Sequence, residues 1–155
     1  MLSIGCSLDQ ATKVFILPTP PKGDYLVDEY GRLVTPDLAN VINQDGNHWR
    51  KILTIMAKLC VSGENWRDYR DKDLLQTTEC ILFNLPEVFD RKTVYFICGG
   101  KMQADMKQMK ELTSLDDKNL LKVHNNIILC PYPDYRQFPN RLIELNLAYL
   151  NQVSL

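Results

Sequence analysis

The sequence predicts an α/β fold, a three-layer αβα sandwich around a mostly parallel central sheet. Residues 92–98 form a near-continuous apolar run, as a parallel strand buried on both faces requires. Gly99-Gly100 then turns the chain directly into Lys101-Met-Gln-Ala-Asp-Met106, which carries methionines at helical spacing. Asn126-Ile-Ile-Leu-Cys130 repeats the plan, breaking into Pro131-Tyr132-Pro133-Asp134-Tyr135 before a helix that opens near Pro139. Tandem strand–loop–helix units belong to parallel sheets, whose ligands sit beyond the carboxyl ends of the strands.

In chain order, Lys13-Val-Phe-Ile-Leu17 reads as a first buried strand, stopped by Pro18. The segment from Pro18 to Tyr25 holds three prolines and a glycine, which excludes a helix or a central strand. Thr35-Pro36 reads as an N-cap with proline at the first helical position, and Asp45-Gly46 ends that short helix. A second helix follows, with Trp49, Ile52, Leu53, Met56, Leu59 and Cys60 on one stripe. Residues 67–73 are charged and read as a solvated connection.

Leu74, Thr78, Ile81 and Leu85 fit a helical stripe, although residues 79–84 also suit a strand. Helix is preferred, because too few residues follow for a parallel crossover of about a dozen. Met102, Met106 and Met109 line the helix after Gly100. Ser114 is placed to cap a short helix through Lys122, with Asp116 and Asp117 in its first turn. The last strand spans residues 126–130, and the last helix about 139 to 151.

A chain of 155 residues, 45% hydrophobic and 24% charged, is expected to form one domain. Its net charge of -1 gives no general reason to expect a protein that coats nucleic acid, though it leaves room for a local basic patch. Five cysteines at 6, 60, 80, 98 and 130 form no CxxC pair. Such a scattered set fits a reducing compartment and buried thiols. His48 and His124 form no ligand pattern with them, so neither a metal nor a cofactor is expected. There is no signal-like amino terminus and no apolar run of ~20 residues, which places the expected address in the cytoplasm, without a membrane partner.

The methionine stripe is most simply core, and Trp49 and Trp66 are most simply packing anchors. Gly99, Gly100 and Lys101 could bring backbone amides and a cation to a phosphate, although a tight βα turn is the simpler account of the glycines. The proline-framed loop is different in kind. Its two prolines stiffen the backbone just past a strand end and present Tyr132, Asp134, Tyr135 and Arg136 together. An aromatic ring beside an arginine suits an anionic or planar ligand. Asp24, Asp28 and Glu29 are the acids expected near the same edge and available as general bases.

This order of elements resembles the uracil-DNA glycosylase superfamily, especially its bacterial and phage-type branches. Val14-Phe-Ile-Leu17 and the proline segment through Asp24 stand where that family has its first strand and water-activating loop. Pro36-Asp-Leu-Ala-Asn40-Val41 is similar to its proline–leucine–asparagine helix start. Residues 93–100 with Ala104 resemble its strand–glycine–alanine turn, and Tyr132-Pro133-Asp134 falls where a His-Pro-Ser loop is expected. The Gly-Gln-Asp-Pro-Tyr or Gly-Glu-Ala-Pro-Gly catalytic pattern is missing, as is an iron–sulfur cysteine set. Tyr132 replaces the histidine that stabilises charge on the departing base, a kind of loss that typically costs ~10²–10³ in rate.

The resemblance implies a divergent or catalytically degenerate protein that binds nucleic acid or a nucleobase at the carboxyl edge of the sheet. Asp24 would then position water, Tyr132 or Tyr135 would stack, and Asn40 or Asn84 would read the base edge. Lys101, Arg136 and Arg141 would hold phosphates. Two other classes stay open on the residues alone. One is a non-enzymatic protein-interaction module on the same fold, and the other is a small phosphoanion or nucleotide binder at Gly99, Gly100 and Lys101.

Overall fold

The computed structural model describes residues 3–22, 38–106 and 111–153. Its strands are β1 (Ser3–Gly5), β2 (Lys13–Ile16), β3 (Glu79–Leu82), β4 (Val94–Cys98), β5 (Thr113–Ser114), β6 (Lys122–His124) and β7 (Ile127–Cys130). Its helices are α1 (Leu38–Cys60), α2 (Trp66–Asp68), α3 (Gly100–Ala104) and α4 (Asn140–Gln152), with a π-type turn at Tyr69–Asp73. The strands form one mixed sheet in the order β1-β3-β2-β4-β7-β6-β5. The expected parallel arrangement holds for the four central strands, while β1 on one side and β6 and β5 on the other pair antiparallel.

Register divides the sheet's side chains between two cores. Phe15 lies opposite Ile81 and Phe96, and Phe96 lies opposite Ile128. These residues pack with α1 and α4, and the Phe15 and Phe96 rings stack at 4.7 Å. Ile16, Leu82, Ile97 and Leu129 alternate onto the other face, where Leu85, Phe89 and Met102 cover them. β2, β3 and β4 are apolar on both faces because both faces are covered, the condition that removes the polar alternation of an exposed strand.

α1 follows the two-helix reading at one point: Gly46 has φ 75 and ψ -159, which breaks the helix. Only glycine takes such a φ without strain, so the Asp45-Gly46 stop is a kink between two segments. The proposed start at Thr35-Pro36 lies outside the described residues. α4 begins and ends within a residue of its expected bounds, and Met102 is buried as core. Met109 lies outside the described residues.

Three expectations are corrected. Residues 79–82 are strand, since all four pair in parallel with β2. The crossover argument fails because β4 lies beyond β2, and residues 83–93 cross over without a helix. At ~3.3 Å per extended residue they span that distance easily. Residues 114–122 are a hairpin, since Ser114 pairs with Lys122 and Asp116 holds the turn by accepting from the amides of Lys118, Leu120 and Leu121. An Asx-type turn uses the same residues as a helix cap. Finally, the charged segment 67–73 is helical, and Tyr69 reaches inward from it to Glu79. β1 was not anticipated, because three residues with a single buried side chain, Ile4, carry almost no periodic signal.

Candidate functional site at the carboxyl edge

Where β2 and β7 end, the chain has no regular partner and proline sets its course. Pro18, Pro20 and Pro21 follow β2, and Pro131 and Pro133 follow β7. The first segment is fastened to α1 by the Lys22 amide, which donates to Asp45 Oδ1 at 2.8 Å. The second is fastened to itself. The amides of Arg136 and Phe138 donate to Asp134, through its Oδ1 at 2.8 Å and its carbonyl at 2.7 Å, and buried Phe138 anchors the loop. Between them lies a cleft of about 540 Å³, walled by Thr19, Pro20, Pro21 and Lys22 on one side and by Asp45, His48, Trp49 and Tyr132 on the other.

Tyr132 is the centre of this arrangement. Its Oη lies 2.8 Å from His48 Nε2, and the two rings stack at 5.6 Å and 21°. Burial, then Cys98 and Asp134, raises its pKa above the ordinary phenol value. The hydroxyl therefore stays protonated at neutral pH, and it can donate or accept according to whether His48 Nε2 carries a proton. Gly99 backs the ring: with φ 89 it brings β4 into the turn, and a side-chain carbon there would touch Tyr132 at 3.6 Å. Beneath the turn, the thiols of Cys98 and Cys130 face each other at 3.7 Å, and all five cysteines are free.

The sequence-predicted site residues divide sharply. Tyr132 lines the cleft and Tyr135 stands beside it, 47% exposed, with Lys51 Nζ 5.8 Å from its ring centroid. Arg136, Gly100 and Lys101 are exposed near the same edge, with Gly99 half-buried behind Tyr132. The Gly99 amide is already bonded to the Cys130 carbonyl at 3.0 Å, which removes one donor from a phosphate nest there. Asn40 is exposed at the start of α1, and Asn84 is exposed just past β3. Arg141 is exposed in the first turn of α4. Asp24, Asp28 and Glu29 lie outside the described residues. Trp49 is core at 4% exposure, and Trp66 is half-buried under Lys58, Arg67 and Arg70.

His48 is the residue that sequence reasoning missed. Its one local signal is its place between the Gly46 break and the buried stripe opening at Trp49, which puts a polar side chain where two helical segments meet. Among the described residues no group of histidine, cysteine and carboxylate side chains is arranged to hold a metal. No described helix is long and apolar enough to cross a membrane.

Fold and cleft together define an α/β protein with a proline-walled cleft at the carboxyl edge of its parallel strands. Over residues 3–151 the chain matches, and belongs to, the Family of unknown function (DUF6942). No curated protein and no solved structure matches it.

Proposed function

We propose that the carboxyl-edge cleft binds a nucleobase, free or carried in nucleic acid, and that the protein is a divergent relative of the uracil-DNA glycosylases. The observation that carries this reading is the contact between His48 Nε2 and Tyr132 Oη at 2.8 Å. The glycosylase-like layout expects a histidine at position 132, and the sequence puts tyrosine there. What supports the reading is that an imidazole from a different element bears directly on that tyrosine. With His48 protonated, its N–H donates to the phenol oxygen, and the phenol O–H is free to donate to a ring carbonyl. With His48 neutral and accepting, the phenol oxygen keeps only acceptor capacity toward a ligand.

The cleft's volume falls within the range of roughly 300–1,000 Å³ typical of small-molecule sites. Tyr135 and Lys51 at its flank suit a second stacked ring or a phosphate. The three-layer arrangement belongs to the same proposal. It is supported by α1 and α4 on one face and by α3 with the 83–93 crossover on the other.

The test is binding and base release on single- and double-stranded oligonucleotides carrying one uracil or hypoxanthine, at two salt concentrations. The expected result is binding that weakens steeply with salt and falls at least ~5-fold in Tyr132→Phe, about 1 kcal/mol. Base release abolished by Asp24→Asn would add chemistry to binding. Absence of both binding and release would overturn the reading and leave only a shared architecture.

A further inference from the structure

A second cleft, of about 370 Å³, lies at the opposite edge of the sheet, where β2 and β4 begin and α1 and α4 end. Its polar lining includes Thr12, Lys13, Cys60, Lys92 and Asn151, with Leu147 on the apolar side. Lys13 is the anomaly. It opens a strand whose next three residues are fully buried, and it lies directly opposite Glu79 on β3. Opposite charges facing each other across neighbouring strands normally attract. Glu79, however, is fully buried and turned inward, accepting from Tyr69 Oη at 2.9 Å, from Thr78 Oγ1 and from the Leu75 amide at 3.2 Å.

The carboxylate is therefore satisfied by neutral donors, and neither Lys13 nor Lys92 forms an ion pair among the described residues. Lys13 is half-buried and Lys92 exposed on the same cleft, and an arriving anion would give both an ionic partner. We propose that this amino-edge cleft is a second ligand site for a small molecule with a carboxylate or phosphate head. The head sits between Lys13 and Lys92, and a short apolar body lies against Leu147. The rival account is that the two lysines only complement the carbonyl ends of α1 and α4. That account requires no response to ligand.

Cys60 supplies a local readout, because it lines the cleft while the other four cysteines are buried. Cys60 is only half-buried, but desolvation and then Glu79 raise its thiol's pKa, so iodoacetamide labelling is run at one fixed alkaline pH with long exposure and followed peptide by peptide. The probes are inorganic phosphate and butyrate, each against potassium chloride at matched ionic strength. The site predicts that at least one probe slows Cys60 labelling ~5-fold or more. Protection should vanish in Lys92→Gln, an exposed position that tolerates change, and in Lys13→Met. Phosphate-only or butyrate-only protection identifies the head group. Labelling indifferent to both probes, protection equalled by chloride, or protection that survives in both variants overturns the proposal.

Discussion

The two edges of the sheet handle polar side chains in opposite ways. At the carboxyl edge, groups far apart in sequence answer one another. His48 meets Tyr132, and the Lys22 amide meets Asp45. The result is a shaped cleft whose walls are fixed before any ligand arrives. At the amino edge, Glu79 is enclosed by three donors from its own neighbourhood, and Lys13, which lies opposite it, lines a cleft with Lys92 instead. One edge offers prearranged hydrogen-bond geometry and the other offers two lysines that form no ion pair among the described residues. The difference suggests that stability is concentrated in the amino edge's buried network, because the carboxyl-edge bond between His48 and Tyr132 is solvent-accessible and its removal leaves fewer buried groups unsatisfied.

The strongest way to break that comparison is Glu79→Ala. It leaves Tyr69, Thr78 and the Leu75 amide without their acceptor inside the protein, and we expect a loss of about 3 kcal/mol in urea unfolding. A loss below about 1 kcal/mol would mean that water already reaches the network, and the contrast between the edges would fall. Asn126→Ala should cost somewhat less, about 2 kcal/mol. The Asn126 amide donates at 2.7 Å to the carbonyls of both Asp90 and Thr93, tying the crossover to the entry of β7. The variant should raise amide exchange in residues 90–94 while leaving the carboxyl-edge cleft unchanged.

How much of this was legible in the sequence follows from the range of each interaction. The Gly99 turn, the prolines after β7 and α4 are dictated by neighbours a few residues away, and they sit where the sequence puts them. β3 was misread because Leu74, Ile81 and Leu85 happen to fall at helical spacing. What decided the matter is pairing with β2, a contact across more than sixty positions that no local pattern contains. Asp116 carried a true signal for side-chain capping of backbone amides, while the Ser114 hydroxyl donates to the Asp116 carbonyl, and the motif serves a hairpin turn as readily as a helix. The loop bearing Tyr132 was found by its prolines. Its partner His48 was not, since the two are 84 residues apart and meet only because α1 packs over the end of β7. Glu79 was hidden in the same way, read as part of a helix when it is the buried first residue of a strand.

The His48–Tyr132 pair gives the smallest effect and the most specific one. A double-mutant cycle with His48→Ala and Tyr132→Phe should return a coupling of about 0.5–1 kcal/mol, as expected for one partly exposed hydrogen bond. Its pH dependence has a definite sign. The folded pKa of Tyr132 is raised, by burial first and then by Cys98 and Asp134. The stability it contributes is therefore complete below the ordinary phenol value of about 10 and is lost as pH rises through the folded value. Tyr69 and Tyr149 are raised as well, so the quantity to follow is the stability gap between the wild type and Tyr132→Phe. That gap should be constant through neutral pH and shrink on the alkaline side, with one late phenolate missing from the variant's ultraviolet titration. A gap that stays flat into the alkaline range would mean that the phenol is open to solvent, and Tyr132 would then offer a ligand no preformed donor.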